Sequence, residues 1–173
     1  MRSADAIEQL RAELRQDLVF IQNNYDKNHE MTARVALNES EDEFQYAALG
    51  YTLHNLYNAF ESYFYRVAKF FENELGESDW HRTLVERMTL DIDGIRPAVI
   101  DLQFSRRVDE LRRFRHLFRN LYKTPLIPAK VRFANESARG VAEAFQAHHD
   151  RFDSFLRDLK RELGATAIRP EED

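Results

Sequence analysis

The 173-residue sequence contains no cysteine, only five glycines and four prolines, and no apolar run near the roughly 20 residues that a membrane-spanning helix requires. The lack of cysteine excludes a disulfide framework and thiol chemistry, and it is typical of proteins from a reducing cytoplasm. So few turn-forming residues disfavour a strand-rich fold. Residues 1–8 carry acids where a signal peptide would carry an apolar run. These absences predict a soluble, cytoplasmic protein with no membrane segment.

Aromatic side chains are abundant, with thirteen Phe and seven Tyr, so the sequence predicts a core built largely of rings. Apolar residues recur at three- and four-residue steps, which is the pattern of amphipathic helices. The pattern predicts long helices at residues 7–37, 102–123 and 131–163 and a shorter one at residues 80–92. A further long helix is predicted to begin at a capping box over residues 40–43 and to run to residue 75. We therefore expect an all-α, up-and-down bundle of four long helices plus one short helix. It forms a single domain over residues 1–164, followed by a disordered tail over residues 165–173.

The charge is unevenly distributed along the chain. The net charge is −5, which argues against a protein that coats nucleic acid over its whole surface. Residues 111–135 nevertheless contain no acid, and the rest of the chain then sums to −5 − 7 = −12. The seven cations of this segment are Arg112, Arg113, Arg115, Arg119, Lys123, Lys130 and Arg132. A basic island on an acidic body attracts a polyanion to one place only.

The helix predicted at residues 102–123 has two opposite faces. Its apolar face comprises Leu111, Phe114, Leu117, Phe118 and Leu121. Its polar face comprises Arg112, Arg115, His116, Arg119, Asn120 and Lys123, with Tyr122 at the border. Guanidinium groups bind phosphate oxygens bidentately and stabilise charge that develops on phosphorus, and imidazole transfers protons near neutral pH. Such a face can promote attack of an RNA 2′-OH on its own phosphate without a metal.

Residues 115–122, Arg-His-Leu-Phe-Arg-Asn-Leu-Tyr, resemble the active-site motif of the HEPN family. They are most similar to the form found in HepT-like proteins, Arg-x4-His-x-Tyr. Arg115 matches the motif arginine and Tyr122 the motif tyrosine, whereas Asn120 occupies the position of the motif histidine. Further similarity lies in residues 51–57, 79–81, 96–100 and 110–114, so that the resemblance covers residues 45–130.

The resemblance implies a HEPN-type helical bundle that forms a homodimer, with the two motif helices lining a cleft between subunits. HepT-like proteins are metal-independent endoribonuclease toxins that need no cofactor and are paired with a minimal nucleotidyltransferase (MNT) antitoxin. The antitoxin silences the toxin by AMPylation of the motif tyrosine, which is Tyr122 here. Arg115 would stabilise the phosphorane and Asn120 would orient the phosphate or the 2′-OH. The RNA backbone would be bound by Arg112, Arg119 and Lys123.

The asparagine in place of the motif histidine leaves the activity open. Asn120 can hydrogen-bond a phosphate or a hydroxyl, but it cannot transfer a proton. His116 lies one turn earlier on the same predicted face and could act as the general acid or base. The alternative is a catalytically inactive HEPN module that binds RNA or a partner protein. A helical adaptor with no nucleic-acid role is a third possibility.

Two further groups of polar residues contain histidine. His54, Asn58 and Glu61 recur at i, i+4 and i+7 on the second predicted helix. They either orient Arg115 across the bundle or form a hydrogen-bonded surface row, and the sequence does not separate these two interpretations. His148 and His149 are adjacent on a helix and point about 100° apart, so they cannot chelate one metal ion. We expect no metal site.

Overall fold

The computed structural model describes residues 3–37, 42–72, 80–120 and 125–167, without the side chains of residues 80–82, 166 and 167. These residues form six helices: α1 (Ala4–Ala36), α2 (Glu43–Phe71), α3 (Trp80–Arg87), α4 (Leu102–Phe118), α5 (Pro128–Ala138) and α6 (Val141–Ala167). The predicted all-α fold is confirmed. None of the helices in the described ranges combines the length and the hydrophobicity that crossing a bilayer requires.

Helices α1 and α2 form the antiparallel centre of the bundle. Asn28 near the end of α1 bonds to Thr52 near the start of α2 at 3.0 Å, and Asp17 accepts a 2.7 Å bond from Arg66 further along α2. Both helices begin at side-chain caps, since Ser3 accepts from the amide of Ala6 and Asp42 from that of Phe44.

Aromatic rings form the centre of the core, among buried residues that are mostly aliphatic. Phe145 of α6 packs edge-on against Phe60 and Tyr63 of α2, with ring centroids 5.2 and 4.9 Å apart. Phe104 of α4 stacks on the same Phe145 ring at 5.5 Å. Edge-to-face pairs at such distances contribute about 0.5–1.5 kcal/mol beyond the area they bury. These contacts join α2, α4 and α6 around one aromatic centre.

The segment predicted as one helix over residues 131–163 is divided in the structure. Arg139 and Gly140 separate α5 from α6, and Gly140 has a φ of +62°, which glycine adopts without steric cost. Its amide donates a 3.0 Å bond to the Tyr25 hydroxyl of α1, which anchors the break. The apolar periodicity continues across the break, so the sequence pattern did not reveal it. Helix α6 extends to Ala167, four residues beyond the predicted end at residue 163.

The connection from α3 to α4 is organised by a buried arginine. Helix α3 ends at Arg87, before the predicted end at Ile92, and the chain turns through Gly94 with a φ of +67°. The Arg96 side chain is fully buried, and its Nη2 lies 2.6 Å from a carboxylate oxygen of Glu72 at the end of α2. Its nitrogens also donate to three backbone carbonyls, those of Leu90, Pro97 and Arg87. The connector is thereby fixed just before α4 begins.

Candidate nucleic-acid interface

Helix α4 is shorter than predicted, and this changes the position of one candidate residue. The helix ends at Phe118 with Arg119 as its C-cap, instead of continuing to residue 123. The Asn120 Nδ2 donates a 2.8 Å bond back to the carbonyl of His116, one of the last helical carbonyls, which have no intrahelical partner. The expectation that Asn120 projects from the helical face is therefore wrong: it lies in the turn that ends the helix. Tyr122 and Lys123 fall outside the described residues.

A glycine brings the end of α4 close to α2. A Cβ atom added at Gly50 would lie 2.6 Å from the Phe118 Cε2, so only a residue without a side chain fits beside that ring. One turn further along α2, the ring centroid of His54 lies 5.8 Å from that of Phe118. The two helices run antiparallel here. The sequence analysis did not predict this contact, although the lack of a Cβ atom is what lets glycine approach a neighbour closely.

Arg115 is held by side chains of α2. Its Nε donates a 2.6 Å hydrogen bond to the Asn58 Oδ1, and its Nη2 lies 3.4 Å from a carboxylate oxygen of Glu61. The guanidinium carbon also lies 5.6 Å from the centroid of the Tyr57 ring, within cation–π range. Only 17% of the Arg115 side chain is exposed. Of the three polar residues predicted at i, i+4 and i+7 on α2, Asn58 and Glu61 thus contact Arg115 directly.

The third of these polar residues, His54, joins the same hydrogen-bond network through Asn58. Arginine only donates, so the Asn58 oxygen faces Arg115 and the Asn58 Nδ2 donates to the His54 Nε2 at 3.0 Å. The Nδ1 of His54 consequently carries the proton of the neutral ring. Burial lowers the pKa of His54, and the charges of Arg115 and Arg119 lower it further. Both effects favour the neutral form of the His54 imidazole beside the two cations.

The other predicted RNA contacts differ in exposure and in charge balance. His116 and Arg119 are exposed to solvent. The Nε of Arg112 donates to Asp109 at 2.7 Å, and Arg113 is paired with the same carboxylate at 2.9 Å. Acids that precede the acid-free segment thus neutralise part of its charge. In the portion of the chain that the structure describes, Arg119 makes no ion pair.

Arg115 and His116 lie at the two sides of the predicted polar face of α4. Adjacent helical residues point about 100° apart. Arg115 accordingly faces α2 and is half-buried, whereas the His116 ring is exposed. They do not lie on opposite sides of the helix, and neither is sealed in the core. A substrate that lies over the edge between α2 and α4 can contact both.

The paired histidines of α6 lie elsewhere. His148 and His149 are 8% and 5% exposed, and each has its own partner. The His149 Nδ1 lies 3.0 Å from the Tyr63 hydroxyl, and the His148 Nδ1 lies 2.9 Å from an Arg151 nitrogen. Across the described ranges, no three His, Asp or Glu side chains are grouped so that they could hold a metal ion.

Comparison with known families gives one match. A family model described as HepT-like protein matches residues 48–156, which is more than half of the chain. The match includes nearly all of α2 and the whole of α3, α4 and α5. It therefore contains every candidate residue discussed above. No curated protein and no solved structure matches the chain.

Proposed function

This chain belongs to the HepT-like protein family, and on that basis we propose that it is a metal-independent endoribonuclease toxin of a HEPN/MNT toxin–antitoxin pair. It acts in the cytoplasm as a homodimer, with a composite cleft formed by the α4 helices of the two subunits. The observation that carries the proposal is the position of Arg115. Its guanidinium is oriented by Asn58 and Glu61 at the edge of a cationic surface.

The orientation of Arg115 supports a role in stabilising the transition state. Asn58 and Glu61 contact the Nε and Nη2 atoms, and Nη1 makes no hydrogen bond or ion pair with the residues that the structure describes. A guanidinium that is already oriented does not have to reorganise when charge develops on a phosphorane, which is the condition for effective electrostatic catalysis. Arg112 and Arg119 bind flanking phosphates of the RNA, together with Lys123.

The proposed reaction is an internal transesterification of RNA. His116 removes the proton of a ribose 2′-OH, whose oxygen attacks the adjacent phosphorus. The bond from phosphorus to the 5′ oxygen breaks, and the leaving oxygen takes a proton from a protonated His116 of either subunit. The products are a 2′,3′-cyclic phosphate and a 5′-hydroxyl end. The side-chain oxygen of Asn120 accepts a hydrogen bond from the 2′-OH, since its Nδ2 is bound to the His116 carbonyl.

Control of the toxin is proposed to act at Tyr122. The MNT antitoxin transfers AMP to its hydroxyl, and the phosphate then carries negative charge two residues from Asn120 and three from Arg119. This charge competes with RNA for the cations of the same surface. An AMPylated chain is therefore expected to bind RNA more weakly and to cleave it more slowly.

The test is cleavage of total RNA by purified protein in the presence of a metal chelator. Arg115→Ala is expected to reduce the cleavage rate by about 10²–10³-fold, the effect of removing one preorganised donor. Arg113→Ala is the matched control, because it removes a cation of the same helix whose side chain is 64% exposed and paired with acids. Undiminished cleavage, or undiminished growth arrest on expression of Arg115→Ala, would contradict the proposal.

One observation favours a second candidate, a catalytically inactive HEPN module that binds RNA. The residue at the motif histidine position, Asn120, caps a helix, and the nearest exposed imidazole lies about 100° around α4 from Arg115. RNA binding that weakens steeply with salt, without cleavage under any condition, identifies this candidate. If RNA binding that depends on salt is absent, both candidates are excluded, and a helical adaptor with no nucleic-acid role is the interpretation that remains.

A further inference from the structure

Tyr51 of α2 is an exposed aromatic residue beside the candidate site. It is 60% exposed, and it makes no hydrogen bond or ring contact with any residue that the structure describes. It precedes Asn58 by seven residues, so both residues lie on one face of α2 at a separation of about 10 Å along the helix axis. An aromatic ring in water on the same helical face as the network that holds Arg115 needs an explanation.

The contacts between α2 and α4 place Tyr51 near the cationic end of α4. Its neighbour Gly50 lies against Phe118, the last helical residue of α4. The exposed Arg119 follows Phe118, and its charge acts on His54, one turn along α2 from Tyr51. Tyr51 therefore lies at the level of the exposed Arg119, which makes no ion pair with any residue that the structure describes. Arg115 lies about one turn before Arg119 on α4.

We propose that Tyr51 is a base-stacking residue of the RNA site and that the substrate is single-stranded at this position. An unpaired base stacks on the Tyr51 ring while nearby phosphates of the same strand lie on Arg119 and Arg115. A ring beside a cationic track is the combination that binds single-stranded nucleic acid, because every base has a π-face. A duplex hides those faces within its own stack, so it gains nothing from Tyr51. This inference rests on the proposed function, whose site it shares.

The chain offers a matched control for an exposed ring. Phe133 of α5 is 65% exposed, about as much as Tyr51. It lines an apolar groove together with Phe114 and Leu117, on the apolar side of α4. Truncation of Phe133 therefore removes a comparable exposed ring without touching the surface between α2 and the polar side of α4.

The experiment measures binding of a 2′-O-methyl RNA oligonucleotide, which cannot be cleaved, as a single strand and as a duplex. Tyr51→Ala is expected to weaken single-strand binding by roughly 5- to 150-fold, the equivalent of about 1–3 kcal/mol per stacked base, with little effect on the duplex. Tyr51→Phe keeps the ring and is expected to bind within about threefold of the wild type. A 2-aminopurine base in the single strand reports stacking directly: its fluorescence is quenched by wild type and by Tyr51→Phe, but much less by Tyr51→Ala.

Several results overturn the inference. These are equal binding by Tyr51→Ala and wild type, an equal loss in Phe133→Ala, or a change of oligomeric state in Tyr51→Ala that accounts for its weaker binding. Cleavage of natural RNA is measured separately. Cleavage by wild type that Tyr51→Ala leaves unchanged removes the stacking role but keeps the nuclease. Stacking of the uncleavable strand by a protein that cleaves no RNA removes the nuclease but keeps the stacking role.

Discussion

The Nε of Arg115 on α4 donates a 2.6 Å hydrogen bond to the Oδ1 of Asn58 on α2. This bond fixes which way the Asn58 amide faces, and the amide in turn determines which nitrogen of His54 carries the proton. One contact between two helices therefore determines the orientation of a guanidinium, an amide and an imidazole. Stability of the α2–α4 interface and geometry of the candidate site depend on the same atoms.

Removing the Asn58 side chain should therefore be costly. Asn58→Ala is expected to lower the free energy of unfolding by about 1–2 kcal/mol, because a hydrogen bond to a charged group is lost in a half-buried place. Asn55→Ala, one turn away on the same helix and also half-buried, is expected to change it by about 0.5 kcal/mol or less. Urea unfolding of both variants measures the difference. Equal effects would show that the Arg115–Asn58 bond contributes nothing to stability.

Substitution by alanine should change stability in opposite directions at Gly50 and at Gly164. Gly50→Ala is expected to destabilise the protein by about 1 kcal/mol, because the displacement of the Phe118 ring outweighs the better helix propensity of alanine. Gly164→Ala in α6 meets no atom within 4 Å and is expected to stabilise by about 0.5–1 kcal/mol. Thermal unfolding distinguishes them. A stabilised Gly50→Ala would mean that Phe118 moves aside without cost.

Arg96 should be far less tolerant of substitution than the neighbouring Arg87. Both arginines pair with Glu72, but the Arg96 side chain is fully buried whereas that of Arg87 is 34% exposed. Arg96→Ala leaves Glu72 without its buried partner and is expected to cost about 3–5 kcal/mol. Arg87→Ala is expected to cost about 1 kcal/mol or less. Chemical denaturation measures both, and similar losses would indicate that burial of Arg96 is not what matters.

Acid should weaken the fold through its buried histidines. Burial lowers the pKa of His54, His148 and His149 from the ordinary value of 6.5. At a pH below that value the unfolded chain binds protons that the folded chain excludes, so stability is full above 6.5 and falls as the pH falls through this range.

The measurement is the urea midpoint at about pH 7.5 and about pH 5.5. The wild type is expected to lose stability at the lower pH, and His149→Gln is expected to show a smaller difference between the two midpoints. The difference, not the absolute midpoint, is the readout, because the substitution also disturbs the contact with Tyr63. If His149→Gln and the wild type show the same difference between the two midpoints, His149 does not contribute to the acid sensitivity.

Periodicity predicted the helices well where they were long and amphipathic. It placed α1 and α2 and the start of α4 within a few residues of their positions in the structure. It failed where a single residue decided the backbone. Gly140 breaks the helix in the middle of an apolar pattern, and α4 ends at Phe118, where the Asn120 amide bonds to the His116 carbonyl, instead of at residue 123. Hydrophobic spacing carries no information about a left-handed glycine or a side-chain cap.

The sequence by itself determined that the chain is helical, that its core contains many aromatic rings, that its cations are concentrated in one segment and that its motif resembles that of HepT-like proteins. Only the tertiary structure decided which of those cations stay exposed. Glu61 of α2 lies far from the acid-free segment in sequence, yet it pairs with Arg115 of α4, while Arg119 is exposed to solvent. The pair of Asp109 with Arg112, in contrast, joins residues three apart on α4 itself. Charge along a chain is a local property, but neutralisation depends on which helices pack together. That packing is set by contacts such as Gly50 against Phe118.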